Sequence, residues 1–178
     1  MKPLFTIHAG EFVVGDFIEG KFSGVNLWVP TRDTGIDLLV TDSKNQKAVS
    51  LQVKFSRDYS ARHIFQKRLK ACGWCAINRH KLATSKADYW VFVLMGFDQN
   101  MDFVVIKPSD LLAKLDTIHG KAKTIQSYLW VTEAKRCWEA RGLNHQDQTR
   151  IAQDEYTNDV RDFSKYLNDW SPIKVLNG

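Results

Sequence analysis

Residues 35–55, GIDLLVTDSKNQKAVSLQVKF, constrain the fold more than any other stretch of the chain. Successive side chains of a strand point to opposite faces. In the first run Ile36, Leu38 and Val40 share one face and Asp37 lies on the other. In the second, Val49, Leu51, Val53 and Phe55 share one face, with Ser50, Gln52 and Lys54 opposite them. SKNQK between the runs is a polar turn, so the two read as an antiparallel hairpin. Such a hairpin can put Asp37 and the Gln52/Lys54 pair on the same face. That face is either a solvated sheet surface or a polar site built on a rigid strand.

The remaining elements supply context. Residues 6–19, TIHAGEFVVGDFIE, read as a first helix. At about 100° per residue, Ile7, Val13, Val14, Phe17 and Ile18 fall on one arc, with Asp16 and Glu19 away from it. Glu11 lands at the arc's edge. It is either a boundary carboxylate reaching solvent or one that needs a cation or hydrogen-bond partner. VNLWVP (25–30) reads as a strand ending at a proline, followed by the turn TRDTG. Residues 58 to about 71 read as a basic helix, 88–97 and 103–108 as strands, and SDLLAKL as a helix started by Pro108 and Ser109. YLWV (128–131) is a short strand or a helix lead-in. TEAKRCWEARGL (132–143) reads as a helix stopped at Gly142, and 146–170 as further helix. This order predicts an α/β fold with a mixed central sheet flanked by helices. One domain is expected over 1–178, with a core of about 5–118 and a C-terminal helical extension of about 120–178.

Length and composition agree with one globular domain. The chain has 178 residues, 44% hydrophobic and 25% charged, which suffices for a substantial core. No apolar run approaches the roughly 20 residues that cross a bilayer, and no signal pattern opens the chain. Three cysteines do not make a full disulfide framework, so a cytoplasmic protein with reduced thiols is expected. The net charge of +5 is unevenly spread. From Lys54 to Lys86 nine Lys or Arg stand against Asp58 and no other acid before Asp88, so this segment nets +8 and the rest nets −3. A local basic zone suits a polyanion such as nucleic acid, or is a solvated helix face.

An acid on one strand followed by a polar–x–Lys run on the next is what metal-assisted phosphodiester cleavage needs. The acid holds a hard cation such as Mg²⁺, which polarises the phosphate and activates a water. A nearby lysine stabilises charge on the phosphorane-like transition state.

GEFVVGDFIEG, then TGIDLLV, then LQVK resemble the PD-(D/E)XK, restriction-endonuclease-like nuclease superfamily, and most of all its small bacterial branch with the pattern GE…GxDLxV…xQVK. ADYWVFVLM followed by FVVIKPSDL is similar to that branch's later strands and strand-to-helix turn. The resemblance spans about residues 7–112. It implies an αβββαβ core and a Mg²⁺-dependent (or Mn²⁺-dependent) DNA endonuclease, with no nucleotide cofactor and no membrane. Glu11 then matches the first-helix glutamate that binds or orients the metal and its water. Asp37 matches the metal-binding aspartate, Lys54 the motif lysine, and the Val53 carbonyl adds a ligand. Gln52 stands where many members carry Asp or Glu. A glutamine oxygen ligates Mg²⁺ but brings no charge, so weaker metal affinity is expected. A catalytically silent nucleic-acid-binding module on the same fold is the alternative, and a protein-interaction domain a further one. Arg57, Arg62, Lys67 and Arg68 would contact backbone phosphates without reading sequence. Two sites are the simplest way to cut both strands of a duplex, so a homodimer is one expectation.

Other signals carry less. Cys72 and Cys75 form a lone CxxC, without the second pair a zinc site needs, and buried thiols are the better reading. HGKAKT (119–124) lacks the first glycine and the Gly-Lys-Ser/Thr ending of a phosphate loop. Asp33 reads as a turn residue and His8 as a surface histidine. Trp28 stands out among the tryptophans because its strand leads towards the turn before Asp37.

Overall fold

A computed structural model describes residues 8–32, 34–55, 65, 68–96 and 100–177. Helix α1 (Ala9–Lys21) is followed by strands β1 (Val25–Trp28), β2 (Leu38–Asp42) and β3 (Ala48–Phe55). Then come β4 (Leu69–Asn78), α2 (Arg79–Ala83), β5 (Tyr89–Gly96), β6 (Met101–Ile106), α3 (Pro108–His119), β7 (Thr124–Thr132) and β8 (Cys137–Glu139). Two short helices, α4 (His145–Ala152) and α5 (Ser171–Lys174), follow among turns. The chain is thus α/β, with a mixed, open eight-stranded sheet. No described helix is long and apolar enough to cross a membrane.

The β2–β3 hairpin forms as its alternation requires, with Leu38 opposite Leu51 and Val40 opposite Val49. Its turn is locked by Asp42, whose Oδ1 accepts from the backbone N–H groups of Lys47 (3.0 Å) and Gln46 (2.6 Å). The Lys47 bond in particular holds that carboxyl below the usual range. β1 pairs antiparallel on the outer edge of β2.

β3 runs parallel to β5, with Gln52 beside Trp90 and Lys54 beside Phe92. β6 pairs with β5 from Trp90 to Met95. On the opposite edge of β5, β3 occupies Tyr89–Val93, and the start of β4 pairs with Met95 and Gly96. β3 and β4 therefore leave one edge of β5 as the two arms of a fork. β4 continues into β7 and β8.

Apolar residues fill both faces. Leu51, Val53, Val91 and Val93 pack against Val14 and Ile18 of α1, and Trp170 and Ile173 complete that layer. Trp90, Phe92 and Leu94 face the other way, towards Ala71, Cys75 and Ile77 of β4 and Leu111 of α3. α1 lies close to β3. A Cβ at Gly10 would stand 2.6 Å from Phe55 Cβ, so only glycine permits this approach.

Several expectations are corrected. Residues 69–71 belong to a strand, not to the end of a basic helix, and 58–64 lie outside the described residues. Residues 132–143 do not form a helix. β7 ends at Thr132, Lys135 turns the chain at φ 60°, and β8 follows. Both strands face a packed layer of tyrosine and tryptophan, and this tertiary burial outweighs local helical preference. The region beyond 120 is no helical extension. It supplies two strands of the sheet, and the helix begun at His145 ends at Ala152. Its last part covers the outer edge of β6. Leu167 bridges to Val104, and Asn168 accepts from the Phe103 N–H while donating to Asp102. An edge strand covered in this way cannot template further pairing.

Candidate active site

Asp37 precedes β2, after a turn in which Gly35 takes φ 83°, a value that favours glycine. The Asp37 N–H donates to the Leu51 carbonyl (2.8 Å), which continues the hairpin register by one step. The side chains of Asp37 and Gln52 therefore meet across the strands. The Gln52 amide N–H donates to Asp37 Oδ2, and the Val53 N–H donates to the same oxygen at 2.7 Å. A residue's N–H and C=O leave a strand on the same edge. The Val53 carbonyl thus points to the side of Asp37, beyond the end of β2.

Glu11 lies in the first turn of α1 and is buried, at 8% exposure. It is therefore not a boundary carboxylate reaching solvent. Its Oε2 accepts from the His8 N–H at 3.0 Å, which closes the first turn of the helix. His8 itself is exposed at the helix cap.

Lys54 places its Nζ 4.9 Å from the centre of the Trp90 ring, close enough for a cation–π contact. The ring is held by its own N–H, which donates to Ser85 Oγ at 2.9 Å. Among the described residues Lys54 forms no ion pair, so its ammonium is available to an anion.

Glu11, Asp37, Gln52, Val53 and Lys54 line a single cleft of about 940 Å³. Thr34 and Gly35 close one side of it. The end of β4, α2 and Thr84–Lys86 close the other. The cleft lies in the fork between β3 and β4.

The donor set suits a hard cation. Among the described residues Glu11 Oε1, Asp37 Oδ1 and Gln52 Oε1 receive no hydrogen bond. All are oxygens, as Mg²⁺ prefers. Only two are carboxylate oxygens, and among the described residues no group of three or more His, Cys, Asp or Glu is placed to hold an ion.

Of the expected phosphate contacts, Arg57, Arg62 and Lys67 lie outside the described residues, as does Asp33. Arg68 is exposed in the turn before β4 and does not line the cleft. Trp28 is half exposed and donates from Nε1 to Thr41 Oγ1 (3.1 Å) on the outer strands, also away from the cleft. The three cysteines are buried and form no disulfide with one another. Cys72 and Cys75 stand three apart on β4 and so face opposite ways, into two different core layers. Burial pushes the Cys75 thiol up to about 12, against the lowering influence of Lys54.

Sequence reasoning passed over Trp90, Ser85, Lys81 and Lys86. The lysines belong to the basic segment 54–86 and were legible as charge. Trp90 becomes part of the site only through the parallel pairing of β3 with β5. No family model, curated protein or solved structure matches the chain.

Proposed function

We propose that the protein is a divalent-metal-dependent DNA endonuclease that hydrolyses phosphodiester bonds, with a restriction-endonuclease-like fold. The observation that carries this reading is the Asp37–Gln52–Val53 cluster beside an ammonium that forms no ion pair among the described residues, within one cleft. Glu11, Asp37, Gln52 and the Val53 carbonyl would hold Mg²⁺ or Mn²⁺. When bound, the ion would supply Lewis-acid polarisation of the phosphate and a more acidic water. Lys54 contributes positive charge where the pentavalent phosphorus gathers negative charge. Trp90 orients that ammonium, and its bond to Ser85 fixes the ring. Glu11, anchored through its Oε2, keeps Oε1 free to orient the attacking water.

The test is incubation of the protein with supercoiled and linear DNA in Mg²⁺, Mn²⁺ or EDTA, beside Asp37→Ala and Lys54→Ala. Metal-dependent cutting is expected, with each variant slowed by about 10²–10³ or more, the range for loss of one transition-state contact. Cutting that survives both substitutions refutes the assignment. A second reading, a silent nucleic-acid-binding module, is favoured by the neutral amide at position 52. It predicts salt-sensitive DNA binding without cleavage, unaffected by loss of Asp37.

A further inference from the structure

Apart from Ser85, the second wall of the cleft has no part in the chemistry above. β2 and α1 flank β3 on one side, and β4 and α2 stand on the other. This far wall presents Asn78, Lys81, Thr84 and Lys86. Asn78 uses its side-chain oxygen to cap α2 at the Lys81 N–H (3.0 Å), which fixes the start of the wall. Lys81 and Lys86 are exposed and, among the described residues, form no ion pair. Among the described residues, Lys54, Lys81 and Lys86 thus line one cleft without an ion-pair partner, and its carboxylates, Glu11 and Asp37, lie on the wall away from Lys81 and Lys86. Those two lysines therefore offer positive charge at a distance from the place of the reacting phosphate.

Size narrows the ligand. At about 940 Å³ the cleft is at the top of the roughly 300–1,000 Å³ range that encloses a small molecule. A few linked nucleotides of one strand fit wholly inside that space, whereas a duplex can present to it only the backbone along one edge. Trp90 offers no stacking face to a base, because it is buried and its ring faces Lys54, and Phe55 is packed against Gly10 of α1. Recognition then falls on the phosphates, without sequence preference.

We propose that the cleft takes a single unpaired strand, with the phosphate to be cut at Asp37 and Lys54 and a neighbouring phosphate on Lys81 and Lys86. The position of the cut rests on the nuclease reading above. The strand preference and the lysine contacts do not.

Binding is measured in EDTA by fluorescence anisotropy, with one labelled oligonucleotide as single strand and as blunt duplex, across a salt series. The proteins are wild type and Lys81→Ala/Lys86→Ala. The single strand is expected to bind at least tenfold tighter. The double variant is expected to weaken it at least tenfold and to flatten the slope of log K against log salt by about 0.7, the value for one phosphate contact on a single strand. A merely structural role for these exposed lysines would leave that slope unchanged. Equal or tighter duplex binding, or an unchanged slope, overturns the proposal. Mg²⁺ is then added to the same substrates. If nothing is cut while the slope still falls, the nuclease reading fails and the single-strand site stands. If the duplex is cut as fast as the single strand, the nuclease reading stands and this proposal fails.

Discussion

Gln52→Glu tests the geometry of the site without requiring any activity. In the wild type the Gln52 amide donates to the Asp37 carboxylate, a bond to a charged group that contributes about 1.5–3 kcal/mol. The substitution removes that donor and sets two carboxylates against each other. Two unit charges about 4 Å apart repel by about 4 kcal/mol at an effective dielectric near 20. Both residues are half-buried, and the pair can relieve itself by taking up a proton, so the penalty stays below the sum of the two effects. We expect about 2–4 kcal/mol at pH 8, a fall in Tm of about 4–16 °C for a chain of this size. In the unfolded chain a glutamate titrates near 4.3, roughly, and apposition raises that value in the fold. The folded variant therefore binds more protons than the unfolded one. Its deficit is small below about pH 4 and grows as pH rises through the raised value. Mg²⁺ reverses the sign of the effect locally, because two facing carboxylates are what the ion binds. At a hundredfold excess over Kd it restores about 2.7 kcal/mol. Thermal melts followed by circular dichroism at pH 5 and pH 8, with and without Mg²⁺, read all three effects. If the variant melts with wild type at pH 8, Gln52 and Asp37 are not in contact and the site as described is wrong.

Three further outcomes are expected. Glu139 is fully buried and accepts from Ser127 Oγ and from the backbone N–H groups of Tyr128 and Arg141, with His119 at 3.3 Å. Glu139→Ala strands these donors and should lower stability by about 3–5 kcal/mol in urea unfolding; a loss below 1 kcal/mol, roughly the size of a surface change, would contradict the network. Arg79 holds Asp116 through two hydrogen bonds (2.8 and 2.5 Å), and the guanidinium keeps that carboxyl below its ordinary value. The pair stabilises the fold above the unfolded value of about 3.9 and loses its effect as pH falls through the lowered one. Arg79→Ala should therefore melt earlier than wild type at pH 7 and converge with it under acid. Buried, protonated thiols react slowly, so Ellman's reagent should find none of the three cysteines rapidly in the native protein and all of them in guanidinium; prompt native labelling at Cys75 would refute its placement.

The hairpin and the Asp37–Gln52 meeting were legible because a period of two is a direct consequence of strand geometry, and a one-residue slip would bury Gln52 and Lys54. Helix α1 was legible too, from Val14 and Ile18. Glu11 was not, since a helical wheel places it at a boundary and only the close seating permitted by Gly10 buries it. β4 was hidden for a different reason. Ala71, Cys72 and Gly73 are all buried although neighbours point to opposite faces, so the middle of the strand shows no alternation to read. β8 was hidden because Glu139 and Arg136 look like helix-surface charges. Their partners, Ser127, Tyr128 and Asp162, are remote in sequence.

The position of the cleft follows from the fork. Along a fully paired sheet, Gln52 and Lys54 would meet a neighbouring strand on each edge and a packed layer on their face. Here β2 stops pairing at Leu51, and Asp37 takes over the next N–H of β3 through its side chain. On the other edge β3 stays paired with β5, Gln52 beside Trp90 and Lys54 beside Phe92, but β4 pairs with β5 only at Met95 and Gly96. The edge of residues 52–54 towards Asp37, and the face of Gln52 and Lys54 towards β4, are thus left open while both flanks remain packed. Leu51 and Val53 are sealed behind them by α1, and Trp90 and Phe92 lie beside them in the other core layer. Charged and amide groups that project from so fixed a backbone lose little freedom when they engage a ligand, which is the condition for preorganised electrostatics. The same rigidity locates sensitivity to mutation. Gly10→Ala touches no polar group, yet its Cβ would meet Phe55 at 2.6 Å and must push α1 off β3, carrying Glu11 with it. It should lower stability by about 1–3 kcal/mol and impair cleavage beyond that, whereas Gly20→Ala, whose Cβ meets nothing within 4 Å on the same helix, should leave cleavage unchanged.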